Sequence, residues 1–316
     1  VILRGKKVLV TGGAGFLGKR VTKLLRGMYC SEVIVPRSSR YDLTREIDVA
    51  CLMARERPDI VIHLAAVCGG IGANRDRPGT FFHDNMAMGL NVVHEATFSG
   101  VEKIVLVGTV CSYPKFTVTP FREDDLWAGY PEETNAPYGL AKKALIVMAN
   151  AYREQYGTNI IYLIPANLYG PGDNFDPHTS HVIPAIIRKC VEAVRSGADE
   201  VVLWGTGTPT REFLYVDDAA NGIVTAAEKY DDTDPVNLGT GNAISILRLT
   251  KTISALVGFT GRLTWDSSQP NGQPKRRLDI SRAKETFGWE AKVKLEDGLR
   301  QTIDWYMNHE GDGHGR

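Results

Sequence analysis

Lys7-Val8-Leu9-Val10-Thr11-Gly12-Gly13-Ala14-Gly15-Phe16-Leu17-Gly18 is the stretch on which the fold of this chain turns. Residues 7–10 form a short apolar run with β-branched members, which reads as a buried strand. Residues 19–26 place Val21, Leu24 and Leu25 at helical spacing. Between them stand Gly12, Gly15 and Gly18, with Phe16 and Leu17 inside the same loop. A strand that passes through three glycines into a helix has a physical use. One glycine permits the tight turn, one lets backbone amides approach a pyrophosphate, and one packs helix against strand. The helix N-terminus then turns its partial positive charge toward the phosphates. The stretch predicts a dinucleotide site.

Working outward, residues 33–35, 60–64, 104–107 and 160–164 read as four further strands. Helical patterns at 85–98 and 138–156 lie between the later ones. Nearly all-apolar strands alternating with helices indicate a parallel sheet covered on both faces. Beyond Asn167 the composition shifts, with Gly, Pro, Asp and His crowded into 169–184. Short strands such as 200–204 then alternate with helices such as 247–257. Segments 211–216 and 235–238 read as returns to the main sheet. The expectation is an α/β protein: a Rossmann-type, doubly wound parallel sheet with a smaller, discontinuous C-terminal domain. Residues 1–166 and 212–239 form the nucleotide-binding part, 167–211 and 240–310 the substrate part, and 311–316 a mobile Gly-rich tail.

Composition sets bounds. A length of 316 residues suggests about two domains. Lys+Arg and Asp+Glu are both 37, so the net charge is zero, against a nucleic-acid partner that demands a basic excess. No apolar stretch reaches the about 20 residues that span a bilayer, and residues 1–7 carry no signal-peptide core. The five cysteines are odd in number and scattered without a CxxC pair, which disfavours a disulfide framework or structural zinc. These features predict a soluble, reduced, cytoplasmic protein with no nucleic-acid or membrane partner. Asp217-Asp218 read as a helix cap rather than a metal site, and no metal is expected.

Cofactor choice is read at the end of the second strand. An acid there bonds the ribose 2′-hydroxyl of NAD. This chain has Pro36-Arg37-Ser38-Ser39-Arg40, and Arg37 with Arg40 can pair a 2′-phosphate. NADP(H) is therefore expected. Asp42, next to Leu43, can accept from the adenine amino group. Leu64, Ala65 and Ala66 end the third strand, and the two alanines leave room for a cofactor over the sheet. Pro165, Asn167 and Leu168, after the fifth strand, are expected beside the nicotinamide.

Tyr138 and Lys142 are four apart, on one helix face. A free tyrosine has a pKa of about 10; a neighbouring ammonium, with the cofactor's positive ring when oxidised, is expected to lower it so that the phenol exchanges a proton with a carbinol oxygen. Thr109, just past the fourth strand, offers a hydroxyl to the same oxygen.

With this fingerprint and the Thr109-Tyr138-Lys142 set, the chain resembles the extended short-chain dehydrogenase/reductases. Further segments narrow the match: Gly69-Gly70-Ile71-Gly72-Ala73-Asn74, Cys111-Ser112-Tyr113-Pro114-Lys115, residues 167–175, Ser180-His181-Val182-Ile183-Pro184 and residues 204–213. They are similar to the GDP-L-fucose synthases, from about residue 7 to about 306. That resemblance implies a GDP-sugar substrate, GDP-4-keto-6-deoxy-D-mannose, epimerised at C3 and C5 and reduced at C4 with NADPH. It makes Cys111 the ring base and His181 the opposing acid, also near the cofactor, with His178 a neighbouring decoy. A protonated His181 is expected to supply the positive charge that favours the Cys111 thiolate. Family members usually carry two serines before the cysteine, where this chain has Thr109-Val110; Ser112 replaces a commonly apolar residue. The substrate set is Thr109, Cys111, Asn167, Arg188, Arg211 and either Lys275 or Arg276, with Trp204 stacking on the base or walling the sugar pocket. Helices 85–98 and 138–156 resemble those that pair in a homodimer, though their apolar stripes also suit a core. The alternative is an epimerase or C4-reductase of another NDP-4-keto-sugar; a non-catalytic NADP sensor would have lost Tyr138 or Lys142.

Overall fold

A computed structural model describes residues 1–309; the expected tail, 311–316, lies outside the described residues. The strands in chain order are β1 (Lys7–Thr11), β2 (Glu32–Ile34), β3 (Ile60–His63), β4 (Lys103–Val107), β5 (Ile160–Pro165), β6 (Asn167–Tyr169), β7 (Glu200–Trp204), β8 (Thr210–Tyr215), β9 (Val236–Leu238), β10 (Ala243–Ser245) and β11 (Arg262–Asp266). The helices are α1 (Phe16–Gly27), α2 (Glu46–Glu56), α3 (Ile71–Asp76), α4 (Pro78–Phe98), α5 (Ala136–Tyr156), α6 (Val182–Ser196), α7 (Val216–Lys229), α8 (Ile246–Val257), α9 (Ser281–Phe287) and α10 (Leu295–His309).

Six strands form one parallel sheet in the order β2-β1-β3-β4-β5-β9. Every residue of β3, β4 and β5 is buried, as their unbroken apolar runs require when helices cover both faces. α1 packs on α7, and α4 packs on α2 and α5. Strand order reverses between β1 and β3, which opens a crevice at the carboxyl ends of the strands. The glycine loop leaves β1 at that point.

β9 joins the sheet beside β5, as the run at 235–238 led us to expect. The run at 211–216 does not. β8 pairs instead with β6 and antiparallel with β10, in a separate three-stranded sheet. An apolar run specifies burial but not its partner, and β6, one residue beyond β5, supplies a parallel edge. β8 serves two cores through the alternation of its side chains: Leu214 enters the main core, while Phe213 and Tyr215 enter a second one built with α6, α8 and α10. β7 and β11 form a third, two-stranded sheet. Asp217 and Asp218 lie in the first turn of α7, whose cap position is Tyr215 without a side-chain bond. Asp218 instead accepts from the Lys292 and Val293 amides. Among the described residues no helix is long and apolar enough to cross a membrane.

Candidate active site

Gly12 adopts a φ of 69°, and a Cβ there would lie 2.7 Å from the Ala65 nitrogen. A Cβ on Gly18 would lie 2.1 Å from the Gly12 carbonyl oxygen. These two glycines let loop, β3 end and helix approach one another. Gly15 is the α1 cap position and makes no side-chain cap bond. The first-turn amides of α1 therefore lack a side-chain acceptor, the arrangement that receives a phosphate. Thr11 Oγ1 bonds His63 Nδ1 at 2.8 Å and accepts from the Ala65 amide at 3.3 Å, which holds the half-buried Leu64, Ala65 and Ala66 beside the loop. His63 is fully buried and its pKa is pulled down to about 3 by burial, so it is neutral.

Arg37 and Arg40 are exposed after β2, and among the described residues neither forms an ion pair. Asp42, expected at the adenine, is partly committed. Its Oδ1 accepts from the Thr44 hydroxyl and amide, which lower its pKa. The Leu43 carbonyl accepts from Asn91 Nδ2.

Thr109 follows β4 and caps a short 3-10 turn, its Oγ1 accepting from the Cys111 amide at 3.2 Å. This turn is packed under the start of α5. A Cβ on Gly139 would lie 2.4 Å from the Cys111 carbonyl oxygen, and Ser112 Oγ donates to the Gly139 carbonyl at 2.9 Å. Ser112 thus clamps the cysteine turn to the helix that carries Tyr138 and Lys142. The Thr109 side chain lies close enough to the Tyr138 phenol to favour its ionised form. Lys142 is only 2% exposed, and its carbonyl accepts from Tyr162 Oη at 2.8 Å.

The electrostatics correct the expectation for Tyr138. Burial first, then Cys68 and Cys111, raise its pKa well above the usual value, opposed by the nearby Thr109 side chain. Lys142 is itself buried, and its pKa falls to about 8. The phenol keeps its proton throughout the neutral range. Lys142 carries a stability cost whose sign follows from linkage. Its folded pKa is depressed, so the penalty is full below about 8, fades as pH rises toward the unfolded value of about 10.4 and vanishes above it. Lys142→Met is expected to abolish reduction yet stabilise the fold by about 1–3 kcal/mol at pH 7. Thermal melts at pH 7 and 10.5 check this; a gain that does not shrink with pH contradicts it.

The cation beside Cys111 is Arg211. It is 8% exposed and donates to the Thr210 carbonyl at 2.8 Å and the Asn271 carbonyl at 3.0 Å. Burial and the neighbouring Arg276 lower its pKa to about 9, with the Cys111 thiol and Glu132 opposing that shift. Arg211 is therefore charged at neutral pH. His181 occupies the α6 cap position. Surrounding protein in the cleft lowers its pKa through desolvation, although its surface is open to solvent. It is neutral at pH 7 and carries no charge to place at the thiol. The His181 loop docks on the glycine segment after β3 through the Gly70 amide, which donates to Thr179 O at 3.1 Å.

The structure separates the remaining candidates. Arg276 is buried, its Nε bonded to Gln273 Oε1 at 2.7 Å, whereas Lys275 is exposed. Trp204 is 53% exposed with its ring near Gly72. Arg188 bonds Glu192 on its own helix and acts on Tyr306 of α10. Its neighbour Lys189 reaches the Val202 carbonyl, on the strand that carries Trp204. Asn167 Nδ2 donates to the Glu212 carbonyl, Leu168 is half-buried, and Pro165 is buried at the end of β5. Four residues near the site were not singled out. Cys68 acts on both Tyr138 and Lys142. Asp173 is 8% exposed with Oδ2 unpartnered and a pKa raised to about 7 by burial. Glu132 and Gln273 flank the arginine pair. Only Cys68 and Asp173 had a signal, since each adjoins or lies within a segment quoted above.

Against known proteins, residues 8–239 match the NAD dependent epimerase/dehydratase family. The chain is 41% identical over 306 residues to GDP-L-fucose synthase 1 of Arabidopsis thaliana, covering 97% of this chain and 94% of that one. It is 37% identical to GDP-L-fucose synthase of Escherichia coli, covering 96% and 98%. A GDP-L-fucose synthetase from Naegleria fowleri, solved bound to NADP, superposes with a TM-score of 0.87 at 27% identity, over 99% of this chain and 97% of that one.

Proposed function

Since the chain belongs to the NAD dependent epimerase/dehydratase family and, within it, to the GDP-L-fucose synthases, we propose that it converts GDP-4-keto-6-deoxy-D-mannose to GDP-L-fucose. The reaction inverts C3 and C5 and reduces C4. When bound, NADPH supplies the hydride for C4. Gly12, Gly15 and Gly18 with the α1 amides hold its pyrophosphate, and Arg37 with Arg40 reads its 2′-phosphate. Tyr138 gives a proton to the C4 oxygen, which Thr109 orients. Lys142 steadies the phenol's surroundings. The 4-keto group acidifies the C3 and C5 protons; Cys111 removes them, and His181, after taking up a proton from solvent, returns one on the other face. Arg211 and Arg276 bind the diphosphate. We further assign a homodimer through α4 and α5, whose outer faces leave Phe82, Leu90, Phe98, Val147 and Tyr156 exposed.

One observation carries this reading. Cys111 sits on the Thr109 turn beneath α5, within electrostatic reach of the buried Arg211 guanidinium. A plain C4-reductase needs the hydroxyl, phenol and lysine, but no thiol next to a fixed cation. The test mixes protein, NADPH and GDP-4-keto-6-deoxy-D-mannose, follows the loss of NADPH absorbance and identifies the product by NMR. GDP-L-fucose supports the proposal; a product reduced at C4 with C3 and C5 unchanged overturns it.

Cofactor choice supplies a separate check. Arg37→Ala is expected to raise the NADPH KM by about 10-fold or more, the loss of a charge-assisted phosphate contact. The NADH KM stays nearly unchanged, because NADH has no 2′-phosphate. Equal effects on both cofactors would remove Arg37 from that role.

A further inference from the structure

Gln273 is 1% exposed and uses its whole amide. Its Nε2 donates to the Pro114 carbonyl at 2.8 Å and the Lys115 carbonyl at 3.1 Å. Its Oε1 accepts from Arg276 Nε at 2.7 Å. The two sides of this bridge differ in role. Pro114 and Lys115 continue the chain from Cys111. Arg276 belongs to a segment zipped to β8, where the Arg276 amide donates to Thr210 O and the Thr210 amide to Pro274 O. The same segment offers the Asn271 carbonyl to Arg211. One buried side chain thus ties the cysteine turn's continuation to the strap holding both arginines.

We propose that Gln273 is a positioning residue that keeps the diphosphate-binding arginines and the Cys111 loop in one register, so that a sugar nucleotide anchored by its phosphates presents its ring to the thiol. The inference rests on the function proposed above. It follows from amide chemistry that the bridge can be cut on one side at a time. An amide has two donor hydrogens and an acceptor oxygen; a carboxylate of the same shape has acceptors only. Gln273→Glu keeps a partner for Arg276 but leaves two buried carbonyls without donors, facing a carboxylate oxygen. Gln273→Met removes both sides at similar volume. A residue that merely fills space would not distinguish these variants in this way.

The experiment measures deuterium wash-in at C3 and C5 of GDP-4-keto-6-deoxy-D-mannose in heavy water, with NADPH affinity as the check on folding. Gln273→Glu is expected to keep the sugar-nucleotide KM within about threefold of wild type, while kcat for exchange falls about tenfold or more. Gln273→Met shows the same fall together with a KM rise of about tenfold. NADPH affinity is unchanged in both, because the glycine loop lies elsewhere. Wild-type exchange in Gln273→Glu, or a raised KM with unchanged kcat, overturns the inference. Should Gln273→Glu lose NADPH binding, Gln273→Met decides. Loss in both parameters supports the bridge, and loss in one or neither overturns it. A wild-type protein that exchanges no deuterium overturns the catalytic reading itself, and this inference with it.

Discussion

Tyr138→Phe is expected to slow reduction at C4 by about 10²–10⁴-fold, the usual worth of a positioned general acid. Cofactor affinity should change little. The reason lies in how the phenol is held. Burial and two thiols raise its pKa, so the hydroxyl keeps its proton at neutral pH and is matched to the reductive direction, where the new alkoxide must be protonated. Phenylalanine deletes the hydroxyl and keeps the ring. Its ring retains the edge-on packing against Phe81, with centroids 6.3 Å apart, and the helix stays clamped to the cysteine turn through Ser112 and Gly139. Single-turnover kinetics of NADPH oxidation separate the chemical step from binding. Wild-type turnover by a variant whose melting curve is unaltered would end the assignment of Tyr138 as the acid. Deuterium exchange at C3 and C5 should persist in it, since the phenol takes no part in deprotonating carbon.

What the amino-acid order discloses here is mostly local. The strands β1, β3, β4 and β5 were legible because residues buried on both faces leave unbroken apolar runs. The glycine loop was legible because its geometry admits no side chain at Gly12 and Gly18. α2 was missed, since its apolar face is short and interrupted by charges. β8 was assigned to the wrong sheet because strand partnership is a long-range property. In the candidate site, the spacing of Tyr138 and Lys142 and the place of Thr109 after a strand pointed to these residues, but their proton affinities could not be read from the sequence. Desolvation depends on every element that closes over a group, so neither the raised Tyr138 nor the lowered His181 follows from neighbours in sequence. The same holds for the cation at Cys111: Arg211 arrives from β8, a hundred residues along the chain. Between Lys275 and Arg276 the sequence offered no choice; the structure buries Arg276 near Arg211 and leaves Lys275 exposed.

The second large effect concerns Cys111 and His181. Epimerisation exchanges carbon-bound ring protons with solvent, whereas reduction at C4 does not. Wild-type protein with oxidised cofactor should therefore load deuterium into the keto-sugar at C3 and C5. Cys111→Ser is expected to suppress that loading by about 100-fold or more, because a hydroxyl ionises far less readily than a thiol and is a poor base. NADPH affinity should survive, since the glycine loop and Arg37 are separate from the thiol. His181→Asn should behave differently. Deprotonation by Cys111 remains, but the proton donor on the opposite face is gone, so exchange continues with retention while inversion fails. Reduction of the unepimerised ketone then yields a C4 alcohol with its C3 and C5 configurations unchanged. NMR of the recovered sugar reads both outcomes, position by position. Undiminished deuterium at both carbons in Cys111→Ser would remove the thiol from the mechanism, leaving Thr109, Tyr138 and Lys142 as the machinery of a C4-reductase alone.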